Sequence, residues 1–366
     1  AWHYAAEWSR KHDVPVVIQM SYGVGSEDEG ASVVEAEIDS LLEDNLSVVG
    51  CVSNGNEGPG LSTSGLPSCS FHVIASGAVL NRSTAKDIYG VDLPHDRLFY
   101  FSSRGAEFNK PDVAAPGFAA SSVPAWMKGR DVMRGTSMAS PQTAGAAALI
   151  MSAAKQSGLP VVGPWVKAAL RRGAKPMPKQ SVLDAGPGLI NVPRAWEVYK
   201  ELAGRAADEP LGWKIETESP DIASGKGPAA HWRGLLPPFA PQRQAVEVEA
   251  LFAKTVSDQQ KSDLYRAFDL VSTADWVKPD KRGVYTRSAR PMEFSLVYDR
   301  QKLSAPGLYT ARILAYAKGL SRSERERLGP EWDLPVSVAI PEPTALGATL
   351  TKELSVEPAE VERFFA

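Results

Sequence analysis

The sequence predicts an α/β fold with a parallel sheet, followed by an all-β, sandwich-like domain. Three observations carry that expectation. Over residues 1–203, continuous apolar runs alternate with helically spaced segments, the pattern of strands buried on both faces by crossover helices. Prolines and glycines crowd residues 204–242. From residue 243 onward, short stretches alternate apolar and polar residues between Pro/Gly turns. The expected organisation is a parallel-sheet domain at 1–203, a linker or extended wrap at 204–242, and a β-sandwich of the immunoglobulin or fibronectin kind at 243–366.

Taken in order, Trp2, Ala5 and Ala6 share a face and read as the end of a helix over 1–12. Val14 to Met20 is a buried strand. Val34, Ile38, Leu41 and Leu42 give a helix over 33–46. Ser47–Val52 and His72–Val79 are two more buried strands. Ser137 to Ala154 is a helix ended near Gly158. Pro164 opens a helix that stops at Gly173, and Pro193 opens one that stops at Gly204. Pro210, Pro220, Pro228, Pro237, Pro238 and Pro241 mark the linker. Val246, Val248, Ala250 and Phe252 then alternate, as do Met292, Phe294 and Leu296. Residues 308–316 and 334–340 are also β-rich. The run Ser321–Arg327 reads as a solvated loop or a short helix.

Composition narrows the function classes. The chain has 366 residues, 43% hydrophobic and 23% charged, as expected of a soluble globular protein with a substantial core. A formal charge of −3 makes no case for nucleic acid or an anionic membrane surface. No apolar run reaches membrane-spanning length. The start, Ala1-Trp2-His3-Tyr4, is neither a signal peptide nor a translation start, so the chain reads as a fragment or processed product of open compartment. Two cysteines, Cys51 and Cys69, exclude a disulfide framework and a Cys-based zinc site, and are expected as buried thiols. No metal or cofactor is expected, since no acidic cluster has the form of a calcium loop.

The most informative run is Arg134-Gly135-Thr136-Ser137-Met138-Ala139-Ser140-Pro141. A glycine-led turn delivers Ser137 to the start of a small-residue helix, next to unpaired backbone N–H groups. Those are the needs of a nucleophilic serine with oxyanion donors beside it. A bare Ser-x-x-Ser-Pro would be a helix cap; the whole octet favours catalysis. Pro141 is expected in the helix's first turn, where it is tolerated. The second run is Ser53-Asn54-Gly55-Asn56-Glu57-Gly58, just past a buried strand. Ligands bind beyond the carboxyl ends of parallel strands, and the Asn56 amide is the kind of donor an oxyanion needs; alone, the segment is an ordinary Asn-Gly turn. Third, Ser21-Tyr22-Gly23 ends the first strand, where exposed backbone could pair with an extended peptide. By itself it is a strand followed by a glycine turn.

In this order, the three segments resemble the subtilisin-like serine peptidases. Phe101-Ser102-Ser103-Arg104-Gly105 and Asp112-Val113-Ala114-Ala115-Pro116-Gly117 extend the resemblance over residues 1 to about 203. It implies an incomplete subtilisin-like domain with Ser137 as nucleophile and Asn56 as the oxyanion-hole asparagine. Ser21, Tyr22, Gly23, Ser53, Asn54 and Gly55 would flank a peptide or unfolded-protein substrate. Within that class, residues 58–65, 120–126 and 186–192 are most similar to the tripeptidyl peptidase II family. The part beyond 204 is more loosely similar, best at 275–277 and 306–310. This closer likeness implies release of tripeptides from free N-termini and assembly into large homo-oligomers.

Two positions depart from the resemblance. The class has its triad in the order Asp, His, Ser, yet no His here is followed by Gly-Thr and no Asp-Thr-Gly or Asp-Ser-Gly occurs. His3, His12, His72, His95 and His231 receive no role as base, and the chain alone is expected to be inactive. An acidic residue that binds the substrate amine in the tripeptidyl family should follow Ser-Tyr-Gly; Val24 stands there, with Glu27 and Glu29 out of register. The alternative is therefore a peptide-binding scaffold that keeps the fold without the chemistry. An α/β-hydrolase is disfavoured, because Ala139 replaces the last glycine of Gly-x-Ser-x-Gly and only His231 follows the serine.

Overall fold

The computed structural model describes residues 1–25, 30–122, 126, 130–205, 209–222, 224–234 and 237–342. Helix and strand alternate from the start: α1 (Trp2–His12), β1 (Val16–Met20), α2 (Val33–Asp44), β2 (Val48–Ser53) and β3 (Ile74–Leu80). Next come α3 (Arg82–Tyr89), β4 (Arg97–Leu98), β5 (Val113–Pro116) and a ribbon of β6 (Phe118–Ser122) with β7 (Arg130–Arg134). Four helices close this half: α4 (Thr136–Gln156), α5 (Gly163–Gly173), α6 (Val182–Ala185) and α7 (Val192–Gly204).

β1, β2, β3 and β5 pair in parallel, and β4 runs antiparallel to the end of β3. Every residue of β2 is buried, because helices cover both of its faces. Val49 and Cys51 pack with Ala147 and Ile150 of α4 and with α5 and α7; Val48 and Val52 pack with Ala6 of α1 and Ile38 and Leu41 of α2. The small side chains of α4 (Ala139, Ala144, Ala147 and Ala154 are all buried) let that helix lie close on the sheet.

The second half holds β8 (Gly212–Glu218), β9 (Lys226–Gly227), β10 (Ala230–Arg233), β11 (Arg243–Leu251), α8 (Asp258–Asp263) and β12 (Tyr265–Ser272). Then follow β13 (Val277–Pro279), β14 (Gly283–Arg287), β15 (Met292–Tyr298), β16 (Gly307–Ala317), α9 (Arg322–Leu328) and β17 (Trp332–Ile340). They form two five-stranded sheets, ordered β10-β17-β16-β12-β14 and β13-β15-β11-β8-β9. Alternate residues of the two sheets share one core, where Val246, Val248 and Leu296 meet Phe268, Ile313 and Leu334. Each such large side chain contributes about 1.5–3 kcal/mol by leaving water.

The Pro/Gly-rich stretch 204–242 is not a free linker: it supplies β8, β9 and β10 to these sheets. Its prolines fall between strands. Pro210 and Pro220 flank β8, Pro228 separates β9 from β10, and Pro237, Pro238 and Pro241 precede β11. They punctuate turns within the sandwich, since proline cannot donate to a ladder. The run Ser321–Arg327 is a short helix, begun by a Ser321–Glu324 capping box. Residues 343–366, the last part of the expected sandwich, lie outside the described residues.

The halves meet through directed contacts. Trp165 Nε1 donates to the Pro210 carbonyl at 3.0 Å, and Arg172 Nε donates to the Leu328 carbonyl at 3.0 Å. Arg171 of α5 binds Asp112 beside β5 at 3.0 Å and Asp333 of β17 at 2.9 Å. Among the described residues, no helix is long and apolar enough to cross a membrane.

Candidate functional site

α4 starts directly after the β6–β7 ribbon. Its N-cap, Gly135, has φ +157°, a backbone conformation that side chains disfavour. Thr136 is the first helical residue and fully buried; Ser137, the second, is half-buried. The first-turn N–H groups of a helix have no partner within it. Here the Thr136 N–H goes to Asn56 Oδ1 at 2.9 Å and the Met138 N–H to the Gly135 carbonyl at 3.0 Å. No hydrogen bond among the described residues uses the Ser137 N–H.

Asn56 lies in the loop that follows β2. The loop is tied to α4 by Thr136, whose hydroxyl lies 3.0 Å from Asn56 Oδ1, 3.2 Å from the Gly55 carbonyl and 3.3 Å from the Gly55 N–H. A backbone N–H can only donate, so the Asn56 atom facing Thr136 N is its oxygen. That fixes the amide orientation, and no hydrogen bond among the described residues uses Nδ2. A Cβ built on Gly135 would stand 3.6 Å from both Oδ1 and Nδ2, which places the amide against the turn that carries Ser137.

Of the expected substrate-flanking residues, Ser21, Tyr22 and Gly23 are exposed at the carboxyl end of β1, and Tyr22 is 60% exposed. The Ser21 side chain turns inward: it donates to the Ser137 carbonyl at 2.6 Å and lies 2.6 Å from Gln19 Nε2. Ser53 is buried and donates to the Tyr22 carbonyl at 3.4 Å. Asn54 is fully buried, with Nδ2 on the Ser103 carbonyl at 2.8 Å and Oδ1 accepting from Ser64 at 3.2 Å. Its side chain shapes the loop. Glu27 and Glu29 lie outside the described residues.

Pro141 is not in the first turn. It is the sixth residue of α4, four beyond Ser137, because the helix begins at Thr136 and the proline sits in its interior. The roles of Thr136, Gln19 and the Glu57–Ser103 pair (Ser103 Oγ to Oε2, 2.9 Å) are not apparent from spacing alone. Thr136 could have been suspected from its place between Gly135 and Ser137.

The five histidines stand elsewhere. His3 and His72 bind Glu37 and Glu43, His12 ends α1, and His231 lies in β10 against Ser337. His95 is in the loop before β4. None is bonded to Ser137 among the described residues. The one group of described residues arranged to hold a metal ion is Glu107, Asp221 and His231.

Residues 3–213 match the subtilase family, peptidase S8. The chain belongs to that family of serine peptidases. The subtilase is 32% identical over 325 residues to pyrolysin of Pyrococcus furiosus, which covers 81% of this chain and 22% of pyrolysin. It is 30% identical over 344 residues to tripeptidyl-peptidase 2 of Caenorhabditis elegans, covering 90% of this chain and 24% of the relative. The crystal structure of tripeptidyl peptidase 2 superposes with a TM-score of 0.68 at 23% identity, over 93% of the subtilase and 25% of that chain. The likeness of fold therefore runs through both halves. The chain spans about a quarter of the length of these relatives.

Proposed function

We propose that Ser137 is the nucleophile of this subtilase and that Asn56 Nδ2 and the Ser137 N–H stabilise the oxyanion. The observation that carries the reading is the Asn56 amide, held by Thr136 with its oxygen toward the helix and its Nδ2 left over. In this reading, Ser137 Oγ attacks the peptide carbonyl carbon and its proton passes to a histidine base. The carbonyl oxygen takes up negative charge between the two donors. Collapse then expels the amine, which takes the proton, and leaves an acyl-enzyme that water hydrolyses. Preorganised donors matter most in this step because they need no rearrangement as charge develops.

The Asp and His of the triad belong, in this reading, to a part of the protein preceding these residues. The substrate is an extended peptide laid along Ser21–Gly23, whose exposed backbone offers strand pairing. Release of tripeptides is the finer reading, supported by the likeness to tripeptidyl-peptidase 2. Val24 supplies no carboxylate for a free amine, so blocked and free N-termini must be compared. The homo-oligomer expected from the resemblance is carried in the same proposal and is read by sedimentation of the full-length protein. A second reading, peptide binding without turnover, is favoured by the absence of any histidine at Ser137 among the described residues.

The deciding experiment treats the full-length protein with a fluorophosphonate probe and with peptides of free and acetylated N-terminus. Labelling and turnover abolished by Ser137→Ala support the proposal. Peptide binding with neither labelling nor turnover supports the scaffold. Loss of turnover on acetylation supports tripeptide release.

A further inference from the structure

We propose that Glu107, Asp221 and His231 form a binding site for a divalent transition ion, zinc by preference, which joins the peptidase half to the β-sandwich. Glu107 lies in the loop before β5, Asp221 follows β8, and His231 is in β10. One ligand atom from each lies within 4.8 Å of the others.

The histidine is the strongest part of the case. His231 is fully buried, and its Nε2 has no hydrogen-bond partner. A buried nitrogen left unpaired costs about 1–3 kcal/mol. Its other nitrogen, Nδ1, is 2.7 Å from the hydroxyl of Ser337 in β17. With Nδ1–H donating to Ser337, Nε2 is the nitrogen left with a free lone pair for an ion, the arrangement in which a second-shell acceptor fixes the tautomer of a metal-binding imidazole. The carboxylates supply the opposite charge. Glu107 is buried, and its Oε2 accepts from the Ser62 hydroxyl. Its Oε1 lies 3.7 Å from Arg233, whose guanidinium also sits 3.2 Å from Asp221. Arg233 is half exposed, so it can swing into solvent when an ion takes over the negative charge.

Ligand chemistry selects the ion. One imidazole and two carboxylates suit zinc and its first-row neighbours, whereas calcium and magnesium take oxygen alone. Around a tetrahedral zinc, ligand atoms stand roughly 3.4 Å apart, given bonds of roughly 2.1 Å. Asp221, at the surface and paired with the half-exposed Arg233, can close that gap once Arg233 swings away, leaving a fourth position for water. Such an ion would gather segments on both sides of the junction.

The test uses the full chain, stripped with a chelator and titrated with zinc chloride by calorimetry and with cobalt(II) by visible absorption. One ion per chain, tetrahedral cobalt bands and a rise in Tm with zinc are expected. Glu107→Gln and Asp221→Asn should each weaken binding about 100-fold, and Ser337→Ala about tenfold, through loss of the second-shell contact. Asp221 is exposed, so Asp221→Asn keeps the fold, which circular dichroism verifies. The proposal is overturned if zinc does not bind, if Asp221→Asn binds as tightly as the parent, or if the cobalt spectrum lacks tetrahedral bands. None of these readouts depends on peptidase activity.

Discussion

The Ser21 hydroxyl donates to the Ser137 carbonyl at 2.6 Å, and that carbonyl is the one whose helical donor would come from residue 141. Residue 141 is proline and has no N–H. The side chain at the end of β1 therefore replaces a missing helical bond and fixes the turn of α4 that carries Ser137. Gln19 holds Ser21 in place at 2.6 Å and reaches Ser140 at 3.3 Å. Ser21→Ala should lower kcat of the full-length peptidase about tenfold, the consequence of a carbonyl losing a bond worth about 1 kcal/mol and being left unsatisfied. KM should change little. Pro141→Ala restores an N–H and should recover part of the loss in the double variant, a coupling that a double-mutant cycle measures.

Asn56 and Thr136 act as a pair, so their variants should differ in degree. Asn56→Ala removes the proposed oxyanion donor and should cost on the order of 10²–10³ in kcat, the range for losing one such donor, for which subtilisin is the reference case. Thr136→Val removes the hydroxyl contacts to Asn56 and Gly55 but keeps the N–H bond to Oδ1. Its loss should be about tenfold, and Thr136→Ser should recover most of it. Steady-state kinetics on one unblocked peptide series separates these outcomes.

Gly55 cannot carry a side chain without moving the Asn56 loop. Its φ is +114°, and a Cβ would lie 2.5 Å from Glu57 Oε2 and 2.6 Å from Ser103 Oγ. Gly55→Ala should destabilise the fold by about 1–3 kcal/mol and lower kcat, because the displaced groups set the position of Asn56. Denaturant unfolding gives the first quantity and turnover the second.

The buried strands of the first half and the helices around them were legible because continuous apolar runs and helical spacing leave little choice of element. Ser137 and Asn56 stood out in the sequence as candidates because glycines and small residues surround them in tight, unusual runs. The side chains that hold them were not. Thr136, Ser103 and Gln19 act through contacts made by the folded chain, and a lone Thr or Gln in sequence carries no mark of its partner. The segment 204–242 misled because prolines punctuate a sandwich of short strands as densely as they punctuate a linker. His231 carries no mark of a ligand in sequence because the residues grouped with it are brought there by the fold: Glu107 stands more than a hundred residues away.

Acid should unfold this protein partly through Asp112 and Asp333. Burial by itself would raise the Asp112 carboxyl, but Lys110, Lys167 and Arg171 outweigh it and hold the group well below the usual carboxylate range. Asp333 is buried too and is held down by Arg312 and Arg171. A carboxylate with a depressed folded pKa stabilises the fold fully above its unfolded value of about 3.9, and the contribution is lost as pH falls below that. Stability measured by chemical denaturation should therefore drop steeply below about pH 4. Asp112→Asn should be less stable at pH 7 and show a shallower acid slope. Equal slopes in both proteins would remove Asp112 from the account.

Arg171 joins the two halves through a single guanidinium, with Nη1 on Asp112 and Nη2 on both Asp333 and Asn109. Removing it leaves two buried carboxylates short of a counter-ion, although Lys110, Lys167 and Arg312 still neutralise part of the charge. Breaking a buried pair by deleting one partner costs about 3–5 kcal/mol. Arg171→Met should destabilise by that order and, because the lost contacts cross the junction, should split a single unfolding transition into two. Asp333→Asn breaks only the sandwich side of the pair and should cost less while loosening the same junction. Differential scanning calorimetry reads both effects. A single transition merely shifted to lower temperature in Arg171→Met would place the coupling in other contacts across the junction, among them Trp165 with Pro210, Arg172 with Leu328 and Arg205 with Glu331.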